Sequence, residues 1–389
     1  MSRPIAIFAG YLARYPLGGH LLSQYHFLAG LATLGYEVVF LEHYGWPNAC
    51  YDPRTNTMGD DPSYGLSQIL PFFKRIGLQR WCYVDAADQW HGLQRDQVKR
   101  LCHDAAFVMS SSSTTWLEEL RECQTRIFVD IDPGFTQFKM SPTPNESCAG
   151  YASPYDFNFH FTFGERIGTP GCPIPTHGLR WHPFRQPLAL DLIQPRLTPQ
   201  AKRFTTVMSW TAYGSVEYQG VTYGQKNLEM LKFLDLPRRA GDVFEIALGG
   251  VGAPAAELQE AGWHISEALA ATLSVDAYLD YIGNSRGEFS VAKDAYVKTQ
   301  CGWFSDRSVA YLASGKPVIV QDTGFGNILP CGEGLFAFET ADDVARALQQ
   351  IEKDYEHHCR TARRIAEEYF NSDTVLRAML KTCGVSVPG

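Results

Sequence analysis

Apolar runs and amphipathic stretches alternate along the chain in a strand–helix rhythm that runs twice. Ile5 to Ala9 is a short continuous apolar run, the pattern of a buried strand. A loop follows from Gly10 to Gly19. His20 to Leu34 then places Leu21, Leu22, Tyr25, Leu28 and Ala32 on one helical face, closed by Gly35. Tyr36 to Glu42 predicts the second strand. A strand, a helix and a strand in this order force a parallel pair with a right-handed crossover. Ala105 to Met109, Arg126 to Asp132 and the alternating Phe157 to Phe163 predict further strands. The stretch 168–199 is rich in Pro and has the composition of a linker. After it the rhythm restarts, with strands at Thr205 to Trp210 and Val243 to Leu248 and helices at Asn227 to Leu234 and Val275 to Ile282. Ala341 to Tyr369 is helical and charged. The pattern predicts an α/β protein with two Rossmann-like parallel-sheet domains, 1–195 and 196–370, and a last helix in 371–389. Segment 44–100, with Trp46-Pro47, Asp52-Pro53 and Asp60-Asp61-Pro62, reads as long and irregular.

Gly283 to Gly334 reads as one unit. Ser305-Asp306 is a good helix N-cap, and the helix runs through Val309, Leu312 and Ala313 to Gly315. Pro317 opens the apolar strand Val318-Ile319-Val320. Asp322-Thr323 stands at the carboxyl end of that strand, where ligands of open α/β sheets bind. A helix N-terminus offers N–H groups and positive dipole charge to a phosphate. Ser305, Arg307 and Ser308 add hydroxyl and guanidinium donors. The unit therefore suits a nucleoside diphosphate. The plainer alternative is a capped helix followed by a turn.

Ala313-Ser314-Gly315-Lys316-Pro317-Val318 and the Gly-rich loop after it resemble the donor half of GT-B glycosyltransferases. Gln300-Cys301-Gly302-Trp303 is similar to the His-Cys-Gly-Trp opening of the plant-type signature, with Gln in place of His. The Glu-x7-Glu pair of many retaining members is absent, since its places fall at Gly302 and Ala310. The resemblance implies two domains facing a central cleft, with a last helix near Asp373 to Leu380 crossing back to the first domain. It also implies a nucleotide-sugar donor, an acceptor of unknown identity, and transfer that needs neither cofactor nor metal. An epimerase or phosphorylase of the same fold, or a non-catalytic sugar-nucleotide-binding protein, is the alternative.

The expected donor-binding set is Lys226, Gly249, Gly250, Glu288, Lys293, Ser305, Asp306, Arg307, Ser308, Asp322 and Thr323. Lys226 follows the first strand of the second half. Gly249-Gly250 ends the next strand, where a base or ribose can approach the backbone. On the other side, His20 is the candidate acceptor base and Asp132 a second candidate catalytic group. Gly18 and Gly19 form a candidate phosphate or acceptor loop. Asp130-Ile131-Asp132 has the Asp-x-Asp form of a metal signature, but Pro133-Gly134 makes it a strand-ending turn. Ser110 to Thr115 is a candidate cleft wall, with Thr114 or Thr115 as the cap of a following helix. His160 reads as structural. A dinucleotide enzyme is the weaker reading: Glu42 could hold a ribose, but G-x-G-x-x-G is missing.

Composition narrows the partners. The 389 residues suffice for two cores. A net charge of −8 argues against bulk nucleic-acid binding, which needs clustered Lys and Arg. No apolar stretch approaches the roughly 20 residues of a membrane span. The ten cysteines include no Cys-x-x-Cys pair and read as reduced cytosolic thiols, so a cytoplasmic location is expected.

Overall fold

The computed structural model describes residues 3–141, 143 and 151–388. Ten strands lie in the first half. They are β1 (Ile5–Ala9), β2 (Glu37–His43), β3 (Cys50–Asp52), β4 (Thr57–Gly59), β5 (Arg80–Val84), β6 (Trp90–Gly92), β7 (Phe107–Ser111), β8 (Arg126–Asp130), β9 (Phe159–Thr162) and β10 (Trp181–Pro183). Eight of them form a sheet in the order β10-β9-β8-β7-β1-β2-β5-β6, parallel except for the β5–β6 pair. The second half holds β11 (Phe204–Ser209), β12 (Val216–Tyr218), β13 (Val221–Tyr223), β14 (Phe244–Gly249), β15 (His264–Glu267), β16 (Gly287–Ser290), β17 (Val318–Gln321) and β18 (Leu335–Phe338). Six of these form a wholly parallel sheet, β15-β14-β11-β16-β17-β18.

The central strands are apolar on both faces because helices cover both. Ile7, Val39 and Val108 are fully buried in one core of the first sheet, and Phe8, Phe40 and Met109 in the other. Each such side chain contributes about 1.5–3 kcal/mol. The second sheet is packed in the same way, with Ile319 on one face and Val318 and Val320 on the other. The helix Ser372–Thr382 lies against the first-half helix Gly18–Thr33, and Leu376, Met379 and Leu380 enter the first core. Gly30 allows this approach, because a Cβ there would stand 2.7 Å from Leu376.

Segment 44–100 differs from the expectation. It carries the β3–β4 hairpin, helices Ser63–Arg75 and Arg95–Asp104, and the two outer strands β5 and β6. Its Pro and Asp clusters are turns between short elements. The Pro-rich 168–199 stretch likewise contributes β10 to the first sheet. The expected helix cap at Thr114 or Thr115 is absent. The 3-10 turn Glu118–Glu122 has no side-chain cap, and the Thr115 hydroxyl donates to the Gly10 carbonyl at 2.6 Å.

Strand order fixes where ligands can sit. In the first sheet the order reverses between β1 and β7, and in the second between β11 and β16. A crevice opens outside the carboxyl ends of strands at such a reversal. The two halves meet at these ends. The carboxylate of Asp132, just after β8, bonds Lys293, just after β16, at 2.9 Å.

Candidate functional site

On the second-half side, Lys226 and Lys293 follow the two strands that flank the reversal. Lys226 begins the short helix Lys226–Met230, reached from β11 through the β12–β13 hairpin. It makes no hydrogen bond or ion pair with any described residue. Burial and the charges of Arg307 and Lys293 push its pKa well below the usual lysine value, against Glu288 and Asp306. A nearby anion would reverse that shift.

Lys293 is firmly held. Its ammonium donates to Asp132 Oδ1 at 2.9 Å and to the Tyr213 hydroxyl. It lies 4.5 Å from the Tyr213 ring centre, 4.8 Å from Phe135 and 5.2 Å from Tyr296. The Tyr296 hydroxyl also donates to Asp132 Oδ1, and the Tyr213 hydroxyl to Oδ2. Three donors thus close on Asp132, two on Oδ1 and one on Oδ2, and stabilise its charged form. Asp130 is fully buried and bonded to Thr136, Gln137 and Thr162, so it stabilises the turn after β8. Among the described residues no group of three or more His, Cys, Asp or Glu is placed to hold a metal.

The 305–308 corner departs from the expected phosphate grip. Arg307 turns inward. Its Nε donates to Glu288 Oε1 at 2.7 Å, Nη1 to the Val207 carbonyl at 2.9 Å and Nη2 to Ser290 Oγ at 2.5 Å. Glu288 itself is fully buried beneath it. The pair is an internal brace, in place of the diphosphate grip expected of Arg307 and the donor-binding role expected of Glu288. The physical reason is the low-dielectric sheet edge, which demands a counter-charge for each buried ion. Ser305 is the N-cap residue but makes no side-chain cap bond; Asp306 Oδ1 accepts the Arg307 N–H at 2.9 Å. Asp306 is exposed at the cleft, while Ser308 Oγ is buried with no partner. Asp322 accepts the N–H groups of Gly324 and Gly326, and Thr323 donates to the Trp303 carbonyl at 2.5 Å. Both hold the loop's shape. Gly249 ends β14 and Gly250 follows it, where a Cβ would meet Ser209 Oγ and Trp210 N at 2.9 Å.

On the first-half side, Gly18 and Gly19 are not a loop. They form the first turn of the Gly18–Thr33 helix. A Cβ at Gly18 would stand 2.1 Å from the Ser274 carbonyl oxygen, and one at Gly19 would be 3.1 Å from the Tyr278 ring. Their missing side chains let this helix touch the second half. His20 stacks on Tyr11, with ring centres 4.2 Å apart, and its Nε2–H donates to the Tyr11 carbonyl at 2.5 Å. The neutral ring therefore keeps its lone pair on Nδ1. Burial holds the His20 pKa below the usual value; the Tyr11 carbonyl and Asp306 oppose this, and Arg14 reinforces it.

Glu42 does not wait for a ribose. Its carboxylate accepts the backbone N–H groups of Leu12, Ala13 and Arg14, and Arg14 Nε at 3.2 Å. It thereby shapes the loop that carries Tyr11. Arg14 lies 5.1 Å from the ring centre of Trp46, which is 49% exposed. A cavity of about 390 Å³ opens here, lined by Tyr11, Trp46, Ser112, Thr114, Asp132 and Tyr213 among others. His160 is structural, with Nε2 at 2.7 Å from the Pro154 carbonyl.

Sequence reasoning passed over Tyr213 and Tyr296. Neither carries a motif, and the signal that they matter is spatial: both hydroxyls meet Asp132. Nine cysteines among the described residues are free thiols, and Cys148 lies outside those residues. None of the described helices is long and apolar enough to cross a membrane.

No protein-family model and no curated protein matches this chain. Solved structures do. An α-glucosyltransferase in complex with UDP and a 13-mer DNA containing an HMU base aligns over 98% of this chain and 100% of its own. The TM-score is 0.61 and the identity 9%. The pneumococcal O-GlcNAc transferase GtfA, with UDP and GlcNAc, aligns over 98% and 99%, at a TM-score of 0.51 and 11% identity. Anabaena HepE, with UDP and glucose, aligns over 97% and 99%, at 0.50 and 10%. The likeness is one of fold: this chain has the GT-B architecture of two Rossmann-like sheets.

Proposed function

We propose that this GT-B chain is a glycosyltransferase that moves a sugar from a nucleoside-diphosphate sugar to an acceptor hydroxyl or another nucleophile. The observation that carries the reading is Lys226, a partly buried ammonium with no partner among the described residues, at the strand reversal of the second sheet. A diphosphate supplies the counter-charge it lacks. The fold adds support, because UDP is bound in the three structures named above. We take 196–370 as the donor unit and 1–195 as the acceptor unit, with 371–389 returning to the latter.

In the reaction, an acceptor oxygen forms a bond to the anomeric carbon as the bond from that carbon to the phosphate oxygen breaks. The leaving diphosphate keeps the electron pair, and Lys226 stabilises the negative charge that develops there. His20 takes the acceptor proton on Nδ1, its tautomer fixed by the Tyr11 carbonyl. Glu42 supports that arrangement by holding the Tyr11 loop. The acceptor enters through the 390 Å³ cavity beside Tyr11 and Trp46. We take the transfer to need no divalent metal, as the fold resemblance implies; Asp130 is committed to its turn by Thr136, Gln137 and Thr162. The free thiols fit a reducing, cytoplasmic setting.

Calorimetric titration of nucleoside diphosphates, then turnover of sugar nucleotides with and without candidate acceptors, tests the reading. Binding of a nucleoside diphosphate to wild type, weakened in Lys226→Ala, is expected. Wild-type protein that binds none of them would overturn it. Turnover should survive excess chelator, and activity restored only by added manganese or magnesium would remove the metal-free part.

A further inference from the structure

The bonds around Asp132 have an unusual layout. All three donors come from the second half, and the acceptor comes from the first. Tyr213 lies in the loop after β11, Lys293 caps the Asp294–Thr299 helix, and Tyr296 is on that helix. Their polar hydrogens converge on one carboxylate. Two rings of the second half, Tyr213 and Tyr296, face the Lys293 ammonium, and Phe135 of the first half lies on another side of it. Two hydroxyls and an ammonium fixed at one point are the elements of an oxyanion receptor.

We propose that Lys293, Tyr213 and Tyr296 form an anion-binding site of the second half, and that Asp132 fills it as an internal competitor of the donor's diphosphate. This rests on the glycosyltransferase reading. Lys226 and Lys293 follow β11 and β16, the two strands that flank the reversal of the second sheet, so both stand at the crevice where the donor is proposed to bind. A phosphate that takes up the Lys293 ammonium meets the Asp132 carboxylate already bonded there, and like charges at close range repel. Donor binding must therefore displace Asp132 or bear that repulsion. Displacement exchanges a bond between the halves for a bond to the donor. It also frees the Asp132 carboxylate to face the neighbouring acceptor cavity, which it already lines. The device makes acceptor engagement follow donor engagement.

The test is titration of pyrophosphate, UDP and uridine into wild type, Asp132→Asn, Lys293→Ala and the double variant. Pyrophosphate carries no base, so it reads the anion site whichever nucleotide is the natural one. Removing a competitor that occupies the site about nine-tenths of the time raises apparent affinity about tenfold. Asp132→Asn should tighten pyrophosphate and UDP by that factor and leave uridine unchanged. Lys293→Ala should weaken both anions, and in the double variant the gain from Asn should vanish. Unchanged or weaker anion binding by Asp132→Asn, with thermal unfolding matching wild type, would overturn the proposal. Should that variant unfold early, Tyr213→Phe decides: weakened pyrophosphate binding supports the site, and unaltered binding sinks it. Failure of the transferase reading looks different, because wild type then binds no nucleoside diphosphate.

Discussion

Arg307 and Lys226 stand at the same edge of the second sheet, and their fates are opposite. Arg307 opens the Asp306–Ala313 helix and has its guanidinium bonded to a carboxylate, a carbonyl and a hydroxyl. Lys226 opens a shorter helix and bonds to none of the described residues. Both were candidates for the same phosphate. The difference teaches that a cation's position on a helix start says little about its use. What decides is whether the fold places a carboxylate underneath it. Glu288, on β16, lies under Arg307, and the corresponding ground under Lys226 is shared with other cations.

The largest test of this contrast is stability. Arg307→Ala leaves Glu288 buried without its counter-charge, and breaking such a pair costs about 3–5 kcal/mol. Urea unfolding should show that loss, and Glu288→Gln in the same chain should recover part of it. Lys226→Ala, by contrast, removes no internal bond and should unfold close to wild type. A variant Arg307→Ala as stable as wild type would dissolve the contrast.

The second test reverses the comparison. A charge-assisted hydrogen bond is worth about 1.5–3 kcal/mol, or about 10- to 150-fold in affinity. Lys226→Ala should weaken UDP by that factor and uridine hardly at all. Equal losses for the two ligands would place Lys226 against the base or ribose and not the diphosphate.

These two residues also mark how far the sequence could be read. The period of apolar positions predicted the parallel strands, because strands buried on both faces leave runs such as Val318-Ile319-Val320. It failed in 44–100, where β3, β4 and β6 are too short to show a period and where Pro71 interrupts the reading of the helix Ser63–Arg75. Candidate chemistry was legible as residue type and order: lysines after strands, a His after a glycine pair. Orientation was not. Gly18-Gly19 read as a loop because glycines favour loops, yet here they are small for the sake of Ser274 and Tyr278, more than 250 positions away. Asp132 read as catalytic, and only the packing of the two halves shows Tyr213, Lys293 and Tyr296 around it.

The third test moves to the acceptor side, where His20 is held at one nitrogen and free at the other. His20→Ala should lower turnover at least about tenfold, a conservative floor for a lost base. UDP affinity should stay near wild type. Unchanged turnover with a measured acceptor would reduce His20 to a helix residue packed on Tyr11.

The smallest and most specific effect is the pH profile. Burial is the main influence on His20 and lowers its pKa below the usual 6.5. The Tyr11 carbonyl and the Asp306 carboxylate favour the charged ring, and Arg14 opposes it. A base works in its neutral form, so activity is lost as pH falls through the folded pKa and is full above it. The acid limb of kcat/KM should therefore be centred below 6.5, with a plateau through neutral pH. Asp306→Asn withdraws one of the charges that favour protonation, so it should move the limb further down without touching the His20 hydrogen bond. His20→Ala should abolish the limb. A limb centred above 6.5, or one that persists in His20→Ala, would assign the proton to another group.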